Sequence, residues 1–132
     1  MAAEQSAEQI AEQNIGSAKA GYAAFSWGDP EAAMVNMADD VECVVPGNST
    51  VSGTYHGKEE LGAWWKKLAE KSHTQVAELF LGDDERVMVL VRATIAGESR
   101  DRVDILTYRD GKVVKIQSVL DTLFHQRIFG TK

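Results

Sequence analysis

The stretch that decides the fold is Tyr22–Pro46, YAAFSWGDPEAAMVNMADDVECVVP. The pattern predicts that one helix ends near Trp27 and that Asp29 and Pro30 start a second helix at once. Asp29 can cap that helix, and Pro30 suits its first position, where the missing N–H would have no partner anyway. An apolar strand is predicted next, over residues 41 to 45. Two helices and a strand therefore follow one another with almost no loop.

Working outward, the first helix begins after Ser6, because Ser6 and Gln9 have the spacing of a capping box. One side of this helix is apolar, at Ala11, Ile15, Ala18, Tyr22 and Phe25. The second helix is predicted to reach about Met37, and residues 47 to 54 are predicted to form a polar loop. A third helix starts near Gly57 and presents a buried side made of Leu61, Trp64, Trp65 and Leu68.

Four strands are predicted after the third helix, over Thr74–Leu81, Arg86–Ala96, Ser99–Arg109 and Lys112–Leu120. Three helices before a run of antiparallel strands indicate an α+β protein. The 132 residues suit one domain with one core, so we expect residues 1–132 to fold as a single unit.

The composition excludes several classes of function. The formal net charge is −6, which argues against binding to nucleic acid or to an anionic membrane surface. Cys43 is the only cysteine, so no internal disulfide can form. The N-terminal stretch is polar, unlike a signal peptide, and no apolar run approaches the roughly 18 residues of a membrane span. We expect a soluble, cytoplasmic protein.

The order of elements resembles the NTF2-like superfamily, in particular its SnoaL-like and ketosteroid-isomerase-like branch. The resemblance rests on Tyr22–Pro46 and on GTYHGKEEL, residues 53 to 61, where a glycine turn leads into the third helix, and it covers most of residues 8 to 125. It implies a cone in which three N-terminal helices pack on a curved, mixed or antiparallel sheet that encloses a pocket. It also implies a homodimer through the outer face of the sheet. This fold hosts isomerases, cyclases, hydrolases and plain binding proteins, so it does not by itself specify a reaction.

The register of the last hairpin decides which side chains share a face. A two-residue loop at Asp110-Gly111 would place Asp104 opposite Gln117, whereas a three-residue loop that includes Arg109 would place it opposite Ile116. We favour the three-residue loop. It gathers on one face the side chains of Arg102, Asp104, Leu106, Tyr108, Val114, Ile116, Ser118 and Leu120. The other face is mixed and suits an oligomer interface.

Asp104 is the first catalytic candidate, because this register places it among apolar neighbours on the cavity face. Burial raises the pKa of a carboxyl, and a nearby arginine such as Arg102 lowers it again. A carboxyl in that position can act as a general acid or base, or as a neutral donor to a developing oxyanion. In ketosteroid isomerases an Asp on the corresponding strand does the last job. We expect Arg102 to turn partly toward solvent; the alternative is a structural Asp104 paired with Arg102, Arg100 or Arg92.

The chain departs from the enzymes that it resembles. The general base of the ketosteroid isomerases falls at Val45, which cannot take a proton, and the isomerase tyrosine is matched by Tyr22 only one residue out of place. Arg102-Val103-Asp104 also resembles the Arg-x-Asp element of limonene-epoxide hydrolases, whose second Asp falls at Ser118.

The nearest carboxyl to Ser118 is Asp121, which we interpret as a helix cap rather than a catalytic group. Cys43 is predicted to be an inert buried thiol. No His, Cys and Asp spacing indicates a metal site, so no metal and no organic cofactor are expected.

The function predicted from these residues is a cofactor-free acid–base enzyme, of isomerase, cyclase or hydrolase type, acting on an apolar, oxygen-bearing small molecule. Asp104 and Arg102 would be catalytic. The candidate substrate-binding residues are Tyr22, Tyr55, His56, Trp64, Ile116 and Ser118. The alternative is a non-catalytic ligand-binding protein or a dimeric assembly module, which a cavity filled by Tyr22, Met37 and Trp64 would favour.

Overall fold

The computed structural model describes residues 5–132, in which helices pack on one face of a curved six-stranded sheet. The helices are α1, Ala7–Ser26; α2, Pro30–Ala33; α3, Gly57–Ala69; and α4, Thr122–Phe129. The strands are β1, Met37–Val45; β2, Gly53–His56; β3, Thr74–Gly82; β4, Arg86–Ile95; β5, Glu98–Arg109; and β6, Lys112–Val119. Their order in the sheet is β2-β1-β6-β5-β4-β3, and only the β1–β6 pair is parallel. The predicted α+β class and mixed sheet are confirmed.

The helix count differs from the prediction of three N-terminal helices. α3 comes after β1 and β2, and α4 follows the last strand. α2 is a single turn rather than a helix to Met37, because the Asn36 carbonyl already accepts a hydrogen bond from Val113 N–H at 2.9 Å and so joins the sheet. β2 lies partly in the predicted polar loop, since Gly53 pairs with Val45 across an antiparallel ladder.

The local signals at the helix starts are confirmed. Ser6 and Gln9 form both hydrogen bonds of the capping box. Asp29 accepts from Ala32 N–H at 3.1 Å and caps α2. Gly57, which begins α3, has φ +80°, a left-handed backbone conformation that favours glycine.

The favoured three-residue loop of the last hairpin is wrong: the structure has the two-residue loop, but not the register that such a loop alone would give. Asp110 and Gly111 form a two-residue loop with φ of 52° and 77°, as in a type I′ turn, but a bulge follows between Thr107 and Tyr108 and shifts the register. Asp104 therefore lies opposite Ser118. Val113 is buried in the core, whereas the favoured register had placed Val114 on that face.

The core lies between the helices and the concave face of the sheet. Its fully buried side chains include Val41, Cys43, Leu61, Leu68 and, in β4, Val87, Val89 and Val91. These β4 residues alternate with exposed ones, as expected for a sheet with one covered face. No helix in residues 5–132 is long and apolar enough to cross a membrane.

Candidate functional site

A cavity of about 310 Å³ lies between α1–α3 and the concave face of β5 and β6. This volume is at the lower end of the range for small-molecule pockets, roughly 300–1,000 Å³. Its wall is mostly apolar and aromatic, with contributions from Phe25, Met37, Trp64, Trp65, Leu68, Leu106, Val113 and Ile116. Tyr22, Met37 and Trp64 line this space and do not fill it.

Asp104 is the centre of a buried polar cluster in the cavity wall. Its Oδ1 accepts hydrogen bonds from Arg102 Nε at 2.9 Å and from Ser118 Oγ at 3.0 Å. Its Oδ2 accepts from Arg102 Nη2 at 3.0 Å and from Tyr22 OH at 2.5 Å. Asp104 is only 4% exposed, so these four donors take the place of water around the carboxylate.

Three elements build the cluster. Alternation along β5 places Arg102 and Asp104 on the concave face, and the shifted register places Ser118 of β6 directly across from Asp104. Tyr22 reaches the same carboxylate from α1. The hairpin bulge is thus what pairs Ser118 with Asp104.

Burial and neighbouring charges shift the pKa values of two members of this cluster, Tyr22 and Arg102. Burial, and after it the negative charge of Asp104, raise the pKa of Tyr22 well above its usual value, so its hydroxyl stays protonated. Burial acts to lower the pKa of Arg102, but its contacts with Asp104 and Tyr22 together raise it. The bidentate contact between Arg102 and Asp104 is therefore a buried ion pair.

The expectation that Arg102 turns partly toward solvent is wrong. Its side chain is buried, because both nitrogens that face Asp104 find acceptors inside the protein. The other two arginines considered for Asp104 pair elsewhere: Arg92 with Asp101 at 3.0 Å, and Arg100 with Asp121 at 3.5 Å.

Four of the six residues expected to bind substrate line the cavity: Tyr22, Trp64, Ile116 and Ser118. Tyr55 and His56 do not, because β2 lies at the far edge of the sheet. Tyr55 stacks on Trp64 at 5.7 Å between ring centroids and donates to the Val51 carbonyl at 2.6 Å. The His56 side chain is 66% exposed and lies 3.7 Å from Glu42.

Two cavity residues, His73 and Gln75, were not identified from the sequence. Burial, and after it the charge of Arg102, lower the pKa of His73 to about 4, so the ring is neutral at pH 7. Gln75 Oε1 accepts from Arg102 Nη2 at 2.9 Å. The available signal was the alternation of β3, which gives Gln75 and Ala77 the same face. Val76 and Leu81 are apolar as well but exposed, so the pattern did not show which face of β3 the cavity lies on.

The remaining candidates have structural roles. Asp121 accepts from Phe124 N–H at 3.0 Å and caps α4, as interpreted from the sequence. Burial raises the pKa of the Cys43 thiol to about 12, which makes it a poor nucleophile. Within residues 5–132, no group of three His, Cys, Asp or Glu side chains is arranged to hold a metal ion.

Comparison with known proteins gives a consistent family. The model of the SnoaL-like domain matches residues 18–116. No functionally curated protein matches the sequence.

Three similar solved structures illustrate the fold. An NTF2-like protein from Burkholderia xenovorans LB400 is 27% identical, with a TM-score of 0.73 over 90% of this chain and 97% of that one. A protein from Jannaschia sp. CCS1, named as a SnoaL-like polyketide cyclase, is 19% identical, with a TM-score of 0.74 over 99% of each chain. TerC, co-crystallised with polyporic acid, is 24% identical, with a TM-score of 0.76 over 90% of this chain and 98% of that one.

Proposed function

This chain belongs to the SnoaL-like domain family, and we propose that it binds a largely apolar, oxygen-bearing small molecule and acts on it by cofactor-free acid–base chemistry. The observation that carries the proposal is an apolar cavity whose lining, among residues 5–132, holds a single carboxylate, that of Asp104. The cavity has the size and composition of a small-molecule site. The co-crystal of TerC with polyporic acid supports an organic molecule as the occupant of this fold.

In this proposal Asp104 accepts a proton from the bound molecule, and Arg102 holds the carboxylate in place. Four donors surround the carboxylate, so one donor must leave when the molecule enters. Tyr22 is the donor that can leave, because it belongs to α1 and not to the sheet that holds the ion pair. An isomerisation or cyclisation then returns the proton to another atom of the same molecule. In a hydrolysis Asp104 takes the proton from the attacking water instead and returns it to the leaving group.

Replacing Asp104 with Asn tests the proposal. A screen of neutral aromatic ketones and lactones, with mass spectrometry of the products, would provide the substrate. Turnover by Asp104→Asn should then fall roughly 10²- to 10⁴-fold, the range for the loss of a general acid or base. Asp101→Asn is the matched control, because Asp101 lies on the same strand but is exposed and paired with Arg92. Unchanged turnover in the folded Asp104→Asn protein would exclude Asp104 as the base.

The second candidate is a non-catalytic binding protein. The observation that favours it is the set of four hydrogen bonds that Asp104 accepts. Such an arrangement can fix the shape of a binding cavity as well as hold a reactive carboxylate. In that case Asp104→Asn should change the affinity for a ligand, while neither protein converts it. Product formation by the unmodified protein separates the two candidates.

A further inference from the structure

The orientation of the Gln75 side chain is fixed by its neighbour. Gln75 Oε1 accepts a hydrogen bond from Arg102 Nη2 at 2.9 Å, and the same Nη2 donates to Asp104 Oδ2. A guanidinium group has only donors, so the amide atom that faces it must be the oxygen. The NH₂ group of Gln75 is therefore directed away from the ion pair.

Among the described residues, the Gln75 side chain is hydrogen bonded to Arg102 and to the ring of His73, and Gln75 lines the cavity. Its backbone carbonyl is already used by Ser26 Oγ, at 3.3 Å, which ties this part of β3 to the end of α1. An NH₂ group has two donor hydrogens, and the His73 ring can accept only one of them. The amide therefore keeps a donor hydrogen for a molecule in the cavity.

The surroundings of the amide carry no free charge. Arg102 and Asp104 neutralise each other, and within the described part of the chain they are the only Arg, Lys, Asp or Glu residues that line the cavity. His73 lies beside Gln75 and is neutral at pH 7, because its pKa is lowered to about 4, chiefly by burial. An anionic or cationic ligand would lose its hydration here without gaining an opposite charge.

We propose that Gln75 selects a neutral ligand that carries an acceptor oxygen, such as a ketone or lactone carbonyl, by donating a hydrogen bond to it from Nε2. Gln75 is thus a specificity-determining residue, and the acceptor oxygen is held next to the Arg102–Asp104 pair. The inference rests on the proposed function, because it requires a ligand in this cavity.

Three naphthalenes of similar size test it: 2-acetylnaphthalene, which has a carbonyl; 2-ethylnaphthalene, which has none; and 2-naphthoate, which is anionic. Binding is measured through the fluorescence of Trp64 and Trp65, which line the cavity. The ketone should bind about tenfold more tightly than the hydrocarbon, the effect of one hydrogen bond to an otherwise unpaired donor. The naphthoate should bind more weakly than the ketone. Equal affinities for ketone and hydrocarbon would overturn the inference.

Two substitutions separate a direct contact from an effect through Arg102. Gln75→Glu keeps an acceptor for Arg102 and removes the donors, whereas Gln75→Leu removes both. A direct contact predicts that both variants lose the preference for the ketone and still bind the hydrocarbon. Loss of the preference in Gln75→Leu alone would mean that Gln75 only positions Arg102, which contradicts the inference.

A measurement on the unmodified protein does not depend on how the variants fold. The side-chain NH₂ resonances of Gln75 should shift on addition of the ketone and not on addition of the hydrocarbon. If the hydrocarbon binds in the cavity without any preference for the ketone, only the inference fails. If none of the three compounds binds, the proposed function fails and the inference with it.

Discussion

Two histidines, the buried His125 and the half-buried His73, make the stability of the protein depend on pH. Burial is the main cause that lowers the pKa of both His73 and His125 to about 4, and the charge of Arg102 acts in the same direction. In the unfolded chain a histidine titrates near pH 6.5. Below that pH the unfolded state binds protons that the folded state does not, so the free energy of unfolding falls as the pH drops from 6.5 toward 4.

We therefore expect urea unfolding to show a loss of stability between about pH 7 and pH 5, where carboxyl groups of ordinary pKa are still ionised. His73→Leu and His125→Leu should each lose less stability over this interval than the unmodified protein. His56→Gln is the matched control, because its side chain is 66% exposed. The same pH profile in all four proteins would contradict the assignment.

The face on which a single residue lies could be predicted from the sequence where the local pattern of apolar and polar residues determines it. Asp104 was identified because alternation along its strand places it between apolar neighbours, and Tyr22, Trp64, Ile116 and Ser118 do line the cavity. The direction of the Arg102 side chain could not be predicted, since it depends on acceptors from β3 and β5 together. Whether Asp104 acts in catalysis stays a prediction.

At the scale of an element, the start of α4 depends on one side chain. Asp121 Oδ1 accepts from Phe124 N–H, and this hydrogen bond favours the ionised carboxyl and so lowers the pKa of Asp121. α4 in turn buries Phe124 against the core. Loss of the cap should therefore weaken the attachment of the whole helix.

Replacing Asp121 with Ala should lower the free energy of unfolding by about 1 kcal/mol, the usual cost of removing a helix N-cap. Asp121→Asn keeps an oxygen that can accept the same hydrogen bond and should stay near the unmodified value. Chemical denaturation of the three proteins at pH 7 provides the comparison. If Asn is as costly as Ala, the contact with Arg100 matters more than the cap.

The last hairpin shows why an element can be predicted while its register is not. The two strands were predicted to within one residue, but the favoured three-residue loop was wrong, because Val113 and Val114 are chemically identical and either could face the core. Val113 N–H donates to the carbonyl of Asn36, which lies far away in the sequence. Ser118 faces the cavity in the favoured register and in the structure, but the bulge changes the partner of Asp104 from Ile116 to Ser118.

At the scale of the molecule, the outer face of the sheet carries several exposed apolar side chains. Leu81 and Met88 pair across β3 and β4, and Val119 lies on β6; they are 59%, 49% and 53% exposed. We propose that a second copy of the chain covers this face, as the family resemblance implies. Large exposed apolar patches on soluble proteins mark sites of interaction with other chains.

Light scattering after size exclusion at micromolar concentration should then give the mass of a dimer. Met88→Glu places a charge in the middle of this face and should shift the mass toward that of a monomer. Glu78→Gln, at an exposed position of β3, is the control for a change of charge. A monomer for the unmodified protein at that concentration would exclude the dimer.

The overall arrangement could be predicted only for those elements that residues nearby in the sequence determine. The capping box, the start of α3 and the four C-terminal strands follow from nearby residues, and each lies within one or two positions of its predicted limits. Strand β2 and the cavity could not be predicted from spacing alone. Gly53–His56 is a strand only because β1 lies beside it, and the cavity is the space that α1 and α3 leave above the sheet.

The parallel pairing of β1 with β6 has a consequence for how the chain folds. Cys43 lies beside Ile116, so the two halves of the sheet meet through strands from opposite ends of the sequence. During synthesis, β1 has only β2 and α3 as neighbours until β6 has left the ribosome, and two-stranded ribbons are marginally stable in water. Closing so long a loop is also a slow step. The edge of β1 that β6 later covers, at residues 42 to 44, therefore stays open to pairing with other chains until residues 112 to 119 have been made.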